Sequence, residues 1–363
     1  MTSNPTPKPG ILSIQPYAPG KSKAAGVARV IKLSSNENPW GPSPRAVEAF
    51  AGEAANLHRY PDGAHIALRE AIAAAHQLPA EQLICGSGSD ELLGLLTHAY
   101  ASAGDEVLYS AHGFLMYKIY TLANGATPVA APERDLHTDV DALLAAVTPR
   151  TKIVFVANPN NPTGTVIPFS ELRRLRAALP PHVILGLDAA YAEYVNADTY
   201  EAGESLVREG TNTVMFRTFS KIYGLPALRL GWAFAPAHII DALNRIRSPF
   251  NVNSAALAAG IAAVQDQDYI ADMRSKNATE LKRLRHSMVP LGWESVPSAA
   301  NFLLVKFGAH VAAMNQFLTE NGLIVRDVSS YGLPEYLRIT IGTTEETTLL
   351  IDAITRFTHG LKR

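Results

Sequence analysis

Short apolar runs punctuate the first two thirds of the chain. Residues 83–85, 106–109, 127–130, 152–157, 183–187 and 214–217 each have the length and composition of a buried strand. Between most of them apolar residues recur at helical spacing, as in 139–147 and 170–179. Ser43 followed by Pro44 marks a helix start, with serine as N-cap and proline at the first helical position. Strand and helix alternating in this way predict a mostly parallel sheet covered on both faces, an α/β fold. After about residue 240 the pattern changes. Long helices are predicted over 255–265 and 271–288, then a strand over 302–307, a helix to about Glu320, strands over 323–325 and 337–341, and a final helix from Thr344. That layout suggests a smaller α+β domain. Residues 1–40, rich in Pro, Gly and Lys up to a short apolar stretch at 30–33, read as a loose arm that joins the small domain. The expected division is therefore an arm (1–40), a large domain (41–265) and a small C-terminal domain (266–363).

Composition narrows the function classes. At 363 residues the chain exceeds one ordinary core. Apolar residues make up 47% and charged residues 18%, which indicates a well-packed globular protein. A net charge of −1 gives no electrostatic reason for a nucleic-acid or membrane partner. Cys85 is the single cysteine, which excludes an internal disulfide and suggests a reducing compartment. The first ten residues lack the apolar stretch of a secretory signal, and no run approaches the ~18 apolar residues of a membrane span. The expectation is a soluble cytoplasmic protein. Eleven histidines show no metal-ligand spacing, so no metal is expected.

Four segments could carry chemistry. In Thr218-Phe-Ser220-Lys221, with Arg229 eight residues on, a lysine follows a predicted buried strand. An amine lowered in pKa by burial can form an imine with an aldehyde, and Thr218 and Arg229 suit a phosphate. Alone, a Ser-Lys pair reads as an ordinary loop. Asp188 emerges at the carboxyl end of a predicted strand, where ligands bind in open α/β sheets, with Tyr191 three residues later. A carboxylate there can keep a pyridine nitrogen protonated; helix capping is an equal competitor. Asn158-Pro-Asn-Asn161-Pro-Thr-Gly164 is a tight turn, and turn chemistry alone would explain it. Gly86-Ser-Gly88-Ser89-Asp90-Glu91 could offer backbone N–H groups to an anion at a helix start, although it lacks the dinucleotide-binding glycine pattern.

Their order along the chain resembles that of the fold-type-I pyridoxal-phosphate (PLP) aminotransferases. Ser35-Asn36-Glu-Asn-Pro39, Arg59-Tyr60-Pro-Asp62, His112-Gly-Phe114-Leu-Met-Tyr117 and Leu337-Arg338-Ile-Thr-Ile-Gly342 further resemble the histidinol-phosphate aminotransferase branch. The resemblance implies a mostly parallel seven-stranded central sheet with helices on both faces, plus the smaller domain. It implies Lys221 as the Schiff-base lysine and proton carrier, and Asp188 on the pyridine nitrogen. Tyr191 and Asn161 would bond the ring oxygen, and Phe114 would stack on the ring. Ser89, Thr218, Ser220 and Arg229, with backbone groups at Gly88 and Asp90, would hold the cofactor phosphate. Tyr60 would reach the neighbouring subunit of a homodimer. Arg338 would pair with the substrate carboxylate, assisted by Asn36, with Tyr17 and Arg326 on the substrate side. The branch often has Asn at Ser87 and Tyr at Phe114; Phe114 keeps the stacking face and loses a hydroxyl.

The expected reaction is amino transfer from L-histidinol phosphate to 2-oxoglutarate. An aromatic amino acid is the alternative donor, and threonine-phosphate decarboxylation the alternative reaction. A PLP-sensing module of a transcription regulator would need a DNA-binding segment, and the arm has no helix-turn-helix pattern.

Overall fold

The structure is a computed structural model that describes residues 5–17, 20, 26–27 and 29–361. Seven strands form the larger sheet, in the order Leu83–Gly86, Gly231–Phe234, Thr213–Thr218, Ile184–Asp188, Thr151–Ala157, Glu106–Ser110, Thr127–Ala131. Gly231–Phe234 is antiparallel to both neighbours, and every other pairing is parallel. Side chains of the central strands alternate between two cores. Ile153 and Phe155 pack with Val107, Phe216 and Leu96 on one face. Val154 and Val156 pack with Leu108, Leu185 and Leu172 on the other. Continuous burial on both faces explains why these strands read as apolar runs and not as alternating patterns.

A second sheet has five strands, in the order Ile31–Leu33, Leu323–Asp327, Tyr336–Thr340, Phe302–Lys306, Glu294–Val296. Helices Gln267–Leu291, Val311–Glu320 and Thr344–Leu361 supply its core. Part of the predicted loose arm is a strand: Ile31–Leu33 pairs in parallel with Leu323–Asp327, and Ile31 and Leu33 bury themselves between helices. No helix among the described residues is long and apolar enough to cross a membrane.

The six strands expected in the large sheet are present to within a residue or two at either end. Ser43 caps Pro44–Gly52 through Arg45 N, and Asp139 caps Val140–Ala145. The antiparallel strand Gly231–Phe234 was not anticipated. It is four residues long and follows the lysine loop, which turns at Gly224 and Pro226. Its placement has a consequence for the site. Gly231 pairs with both Gly86 and Thr218, so the two ends that carry Ser89 and Lys221 sit on either side of it. A Cβ at Gly231 would collide with the backbone of Gly88 and Ser89. Backbone cannot yield as a side-chain tip can, so overpacking applies in full. Gly231→Ala is expected to cost about 1–3 kcal/mol in chemical denaturation. An unchanged midpoint would show that this close approach is not required.

Candidate active site

The carboxyl ends of the parallel strands converge on one cavity of about 290 Å3, closed on its other side by residues of the five-stranded sheet. Strand register explains the convergence. Ala157 is level with Asp188, Asp188 with Phe216, and Thr218 with Gly231. The loops that follow carry Asn161, Tyr191 and Lys221 to the same edge. Helix Ser89–Tyr100 begins there, as does helix Leu115–Ala123, whose N-cap is Phe114. Arg338 comes from the smaller sheet, Asn36 from the loop that follows its strand Ile31–Leu33, and Tyr17 from the arm. Of the residues singled out in the sequence, Gly88 lies behind the wall against Arg229. Tyr60 lies outside the cavity; it is 83% exposed and stacks on Phe250 at 4.6 Å. Arg326 borders a second cavity of about 420 Å3, which shares Tyr17 with the first.

Lys221 has its amine 5.6 Å from the centre of the Tyr191 ring and makes no salt bridge to any described residue. Burial, reinforced by the Arg338 charge, lowers its pKa to about 8. Asp188 is nearly fully buried, and burial raises its carboxyl to about 6 against the opposing hydrogen bond from Tyr117. Tyr117 Oη donates to Oδ2 at 2.7 Å, and Ala190 N–H donates to Oδ1 at 3.3 Å. The capping role considered for Asp188 is therefore present, but weak. No cationic side chain pairs with Asp188 among the described residues.

Arg338 is the opposite case, a buried cation with no carboxylate among the described residues. It donates to Asn161 Oδ1 and, at 2.9 Å, to Ser34 O, while its Nε is buried without a partner. The bond to Asn161 occupies that amide's oxygen and leaves its NH2 group to donate elsewhere. The rest of the turn is structural: Asn158 is tied to both backbone groups of Ile167, and Asn160 to Thr163 and His112. Asn36 lines the cavity, but its amide bonds Tyr191 Oη at 2.9 Å and its oxygen accepts from Thr340. It thereby orients Tyr191, whose own proton is left to donate, and has little capacity for substrate. His112 is held by Glu133 at 2.8 Å and does not line the cavity.

At the far end, helix Ser89–Tyr100 has no side-chain cap at its N-terminus. Arg229 donates to Ser220 Oγ at 3.3 Å and to Asp90 at 3.2 Å, and remains exposed. Thr218 Oγ1 accepts from Ser220 N–H at 3.1 Å. Gly88 has φ +86°, and a Cβ there would displace the Arg229 guanidinium. Uncapped N–H groups, two serine hydroxyls, a threonine and an arginine form a cradle for a phosphate. An aldehyde-reactive amine, an unpaired buried carboxylate and this cradle fit PLP. Sequence reasoning missed Tyr117 as a site residue, although its motif was noted; only the fold brings it to Asp188, 71 positions away.

Residues 28–354 match the family Aminotransferase class I and II. The chain belongs to that family. It is an aminotransferase, and PLP is its cofactor. It is 52% identical over 360 residues to a histidinol-phosphate aminotransferase of Rhodopseudomonas palustris, covering 98% of this chain and 99% of the relative. Identity to the histidinol-phosphate aminotransferase of Paramagnetospirillum magneticum is 54%, covering 97% and 98%. Among solved structures, the histidinol-phosphate aminotransferase of Sinorhizobium meliloti in complex with PLP superimposes with TM-score 0.86 at 29% identity, over 92% of each chain.

The lowered lysine pKa has a kinetic consequence. With a pKa of about 8 instead of 10.5, about a tenth of the amine is neutral at pH 7, not about one part in three thousand. Capture of PLP by the cofactor-free chain, followed as the visible absorbance of lysine-bound cofactor, should quicken about tenfold from pH 6 to pH 7 and level above about pH 8. A rate still climbing steeply between about pH 9 and about pH 10 would contradict a depressed amine.

Proposed function

We propose that the aminotransferase moves the amino group of L-histidinol phosphate to 2-oxoglutarate, giving imidazole acetol phosphate and L-glutamate, as a homodimer in the cytoplasm. The choice of donor rests on identity above one half, over nearly the whole length of both chains, to two histidinol-phosphate aminotransferases.

When bound, PLP supplies the electron sink that makes the donor Cα acidic. The residues then divide the work. Lys221 would remove the Cα proton with its neutral Nζ. Asp188 holds a proton on the ring nitrogen. Tyr191 and Asn161 would donate to the ring oxygen, and Phe114 would cover one ring face. Ser89, Ser220, Thr218 and Arg229, with the N–H groups of Gly88 and Asp90, anchor the phosphate. Arg338 takes the anionic group on the reacting carbon's main-chain side, a carboxylate bonded directly to it in glutamate and a phosphate monoester one CH2–O further out in histidinol phosphate. One buried cation thus serves both half-reactions. Arg326 stands opposite Arg338 in the paired strands, with its guanidinium 5.9 Å from the Tyr17 ring. It supports a second contact to the doubly charged substrate phosphate.

With 2-oxoglutarate as acceptor, kcat/KM for L-histidinol phosphate should exceed that for L-phenylalanine by at least about tenfold. The reverse preference would move the assignment to aromatic amino acids. Loss of CO2 without glutamate release would favour the decarboxylase. Lys221→Ala should abolish both turnover and the visible absorbance of lysine-bound cofactor.

The homodimer is supported by the surface. Seven of the twelve exposed large apolar side chains among the described residues lie in 47–66 and 246–250: Val47, Phe50, Leu57, Tyr60, Ile66, Ile246 and Phe250. The two segments touch through the Tyr60–Phe250 stack. Such a patch marks an association surface, and Tyr60 upon it can serve the partner's cofactor phosphate. The double variant Leu57→Asp, Phe250→Asp should sediment as a monomer and bind PLP more weakly. A fully active monomer would overturn the dimer reading.

A further inference from the structure

Asp188 has a second function-bearing neighbour that the reaction scheme leaves unused. Tyr117 is 1% exposed and lies on helix Leu115–Ala123. Its ring is clamped by a parallel stack on Phe155 at 4.7 Å and by the edge-on contact of Phe114 at 5.9 Å. With the ring fixed, the hydroxyl has one partner, Asp188 Oδ2 at 2.7 Å. Burial and the nearby carboxylates hold the Tyr117 phenol well above its ordinary range, so it keeps its proton and donates. We propose that Tyr117 is a positioning residue for Asp188, its phenolic hydrogen bond holding the carboxylate ionised and fixed in rotation so that the remaining lone pairs meet the cofactor's ring nitrogen.

The bland alternative is a core tyrosine that has found a partner for its hydroxyl. Two features argue against it. The partner is a carboxylate that burial alone would drive toward protonation, so the bond acts on a charge state and does more than satisfy a donor. The same ring also touches Phe114, which covers the cofactor's face, so one side chain braces the residues assigned to ring face and ring nitrogen. The other charges acting on Asp188 are Asp90, which disfavours its ionised form, and Lys221, which favours it. Two neutral donors also reach the carboxylate, the Ala190 N–H at 3.3 Å and the Tyr117 hydroxyl at 2.7 Å, and the Tyr117 bond is the shorter and the one that acts more strongly on its charge.

The proposal rests on the assignment of Asp188 to the ring nitrogen, and Asp188→Asn tests that assignment by itself. Tyr117→Phe keeps the stack and removes only the hydroxyl. In the cofactor-free full chain, the Asp188 carboxyl followed by carbon NMR should titrate about one pH unit or more higher in Tyr117→Phe, the effect of losing one charge-assisted hydrogen bond. In the holoenzyme, kcat should fall about tenfold while KM for both substrates changes less than about twofold. In an Asp188→Asn background the same substitution should cost no further activity, because the charge it supports is gone. An unmoved Asp188 titration, or an equal loss of kcat in both backgrounds, would reduce Tyr117 to a packing role. If Asp188→Asn alone leaves kcat unchanged, the ring-nitrogen assignment fails first. Should Tyr117→Phe not fold, Phe155→Leu, which loosens the clamp but keeps the hydroxyl, should raise the Asp188 titration by a smaller amount; no rise would overturn the proposal.

Discussion

Two buried charges of opposite sign, neither in a salt bridge with any described residue, govern the architecture of the site. Asp188 and Arg338 line the same cavity, one at the end of a central strand of the large sheet and the other on the small sheet. An uncompensated buried ion costs several kcal/mol, and a protein that served only stability would pair or remove it. Each ion makes sense with a counter-charge supplied from outside: a ring N–H for Asp188, and a carboxylate or phosphate for Arg338. Lys221 sits among them as an amine kept partly neutral by burial and by the Arg338 charge. The cavity is thus complementary to a molecule cationic at one point and anionic at others, before any ligand arrives.

The fold is arranged to hold these charges without letting them meet. Register places Asp188, Asn161 and the Lys221 loop on one edge of a sheet whose strands are buried on both faces and cannot slip. Arg338 is kept at the opposite wall by Asn161 and by the Ser34 carbonyl. Asn36 bridges the two walls, bonding Tyr191 of one and Thr340 of the other. Its φ of +55°, a conformation asparagine tolerates better than most residues, is what turns the chain from the strand Ile31–Leu33 into that bridge.

Much of this was legible in the sequence because the informative residues lie at strand ends. Apolar runs locate strands, and whatever polar residue follows a run must sit at the sheet edge, which is how Asp188 and Lys221 declare themselves. Asn161 was separable from Asn158 and Asn160 only by resemblance; in space the difference is plain, since the other two spend their amides on the turn. Three features were not legible for physical reasons. Gly231–Phe234 runs antiparallel to the strand before it and is joined to it by the lysine loop and not by an α-helix, so the strand–helix alternation does not reveal it. Ile31–Leu33 is stable as a strand only because Leu323–Asp327 lies beside it. Tyr117 resembles any buried aromatic on a helix until tertiary contact sets its hydroxyl against Asp188. What sequence pattern conveys is local, and each of these depends on a partner remote in the chain.

The charge state of Asp188 also links the cofactor to the stability of the fold. Burial raises its carboxyl from 3.8 in the unfolded reference to about 6. A group raised in this way favours the folded state below about pH 4, and that contribution is lost as pH rises through about 6. At neutral pH the cofactor-free chain therefore carries a cost on the order of 3 kcal/mol at this one position. A ring N–H delivered to the carboxylate removes the reason for the shift, because the ion gains its partner without leaving the interior. Cofactor binding then stabilises the chain by more than its own contacts, and by an amount that grows from acid toward neutral pH. The strain that makes Asp188 a good partner for a pyridine nitrogen is the same strain that ties the folded state to possession of the cofactor.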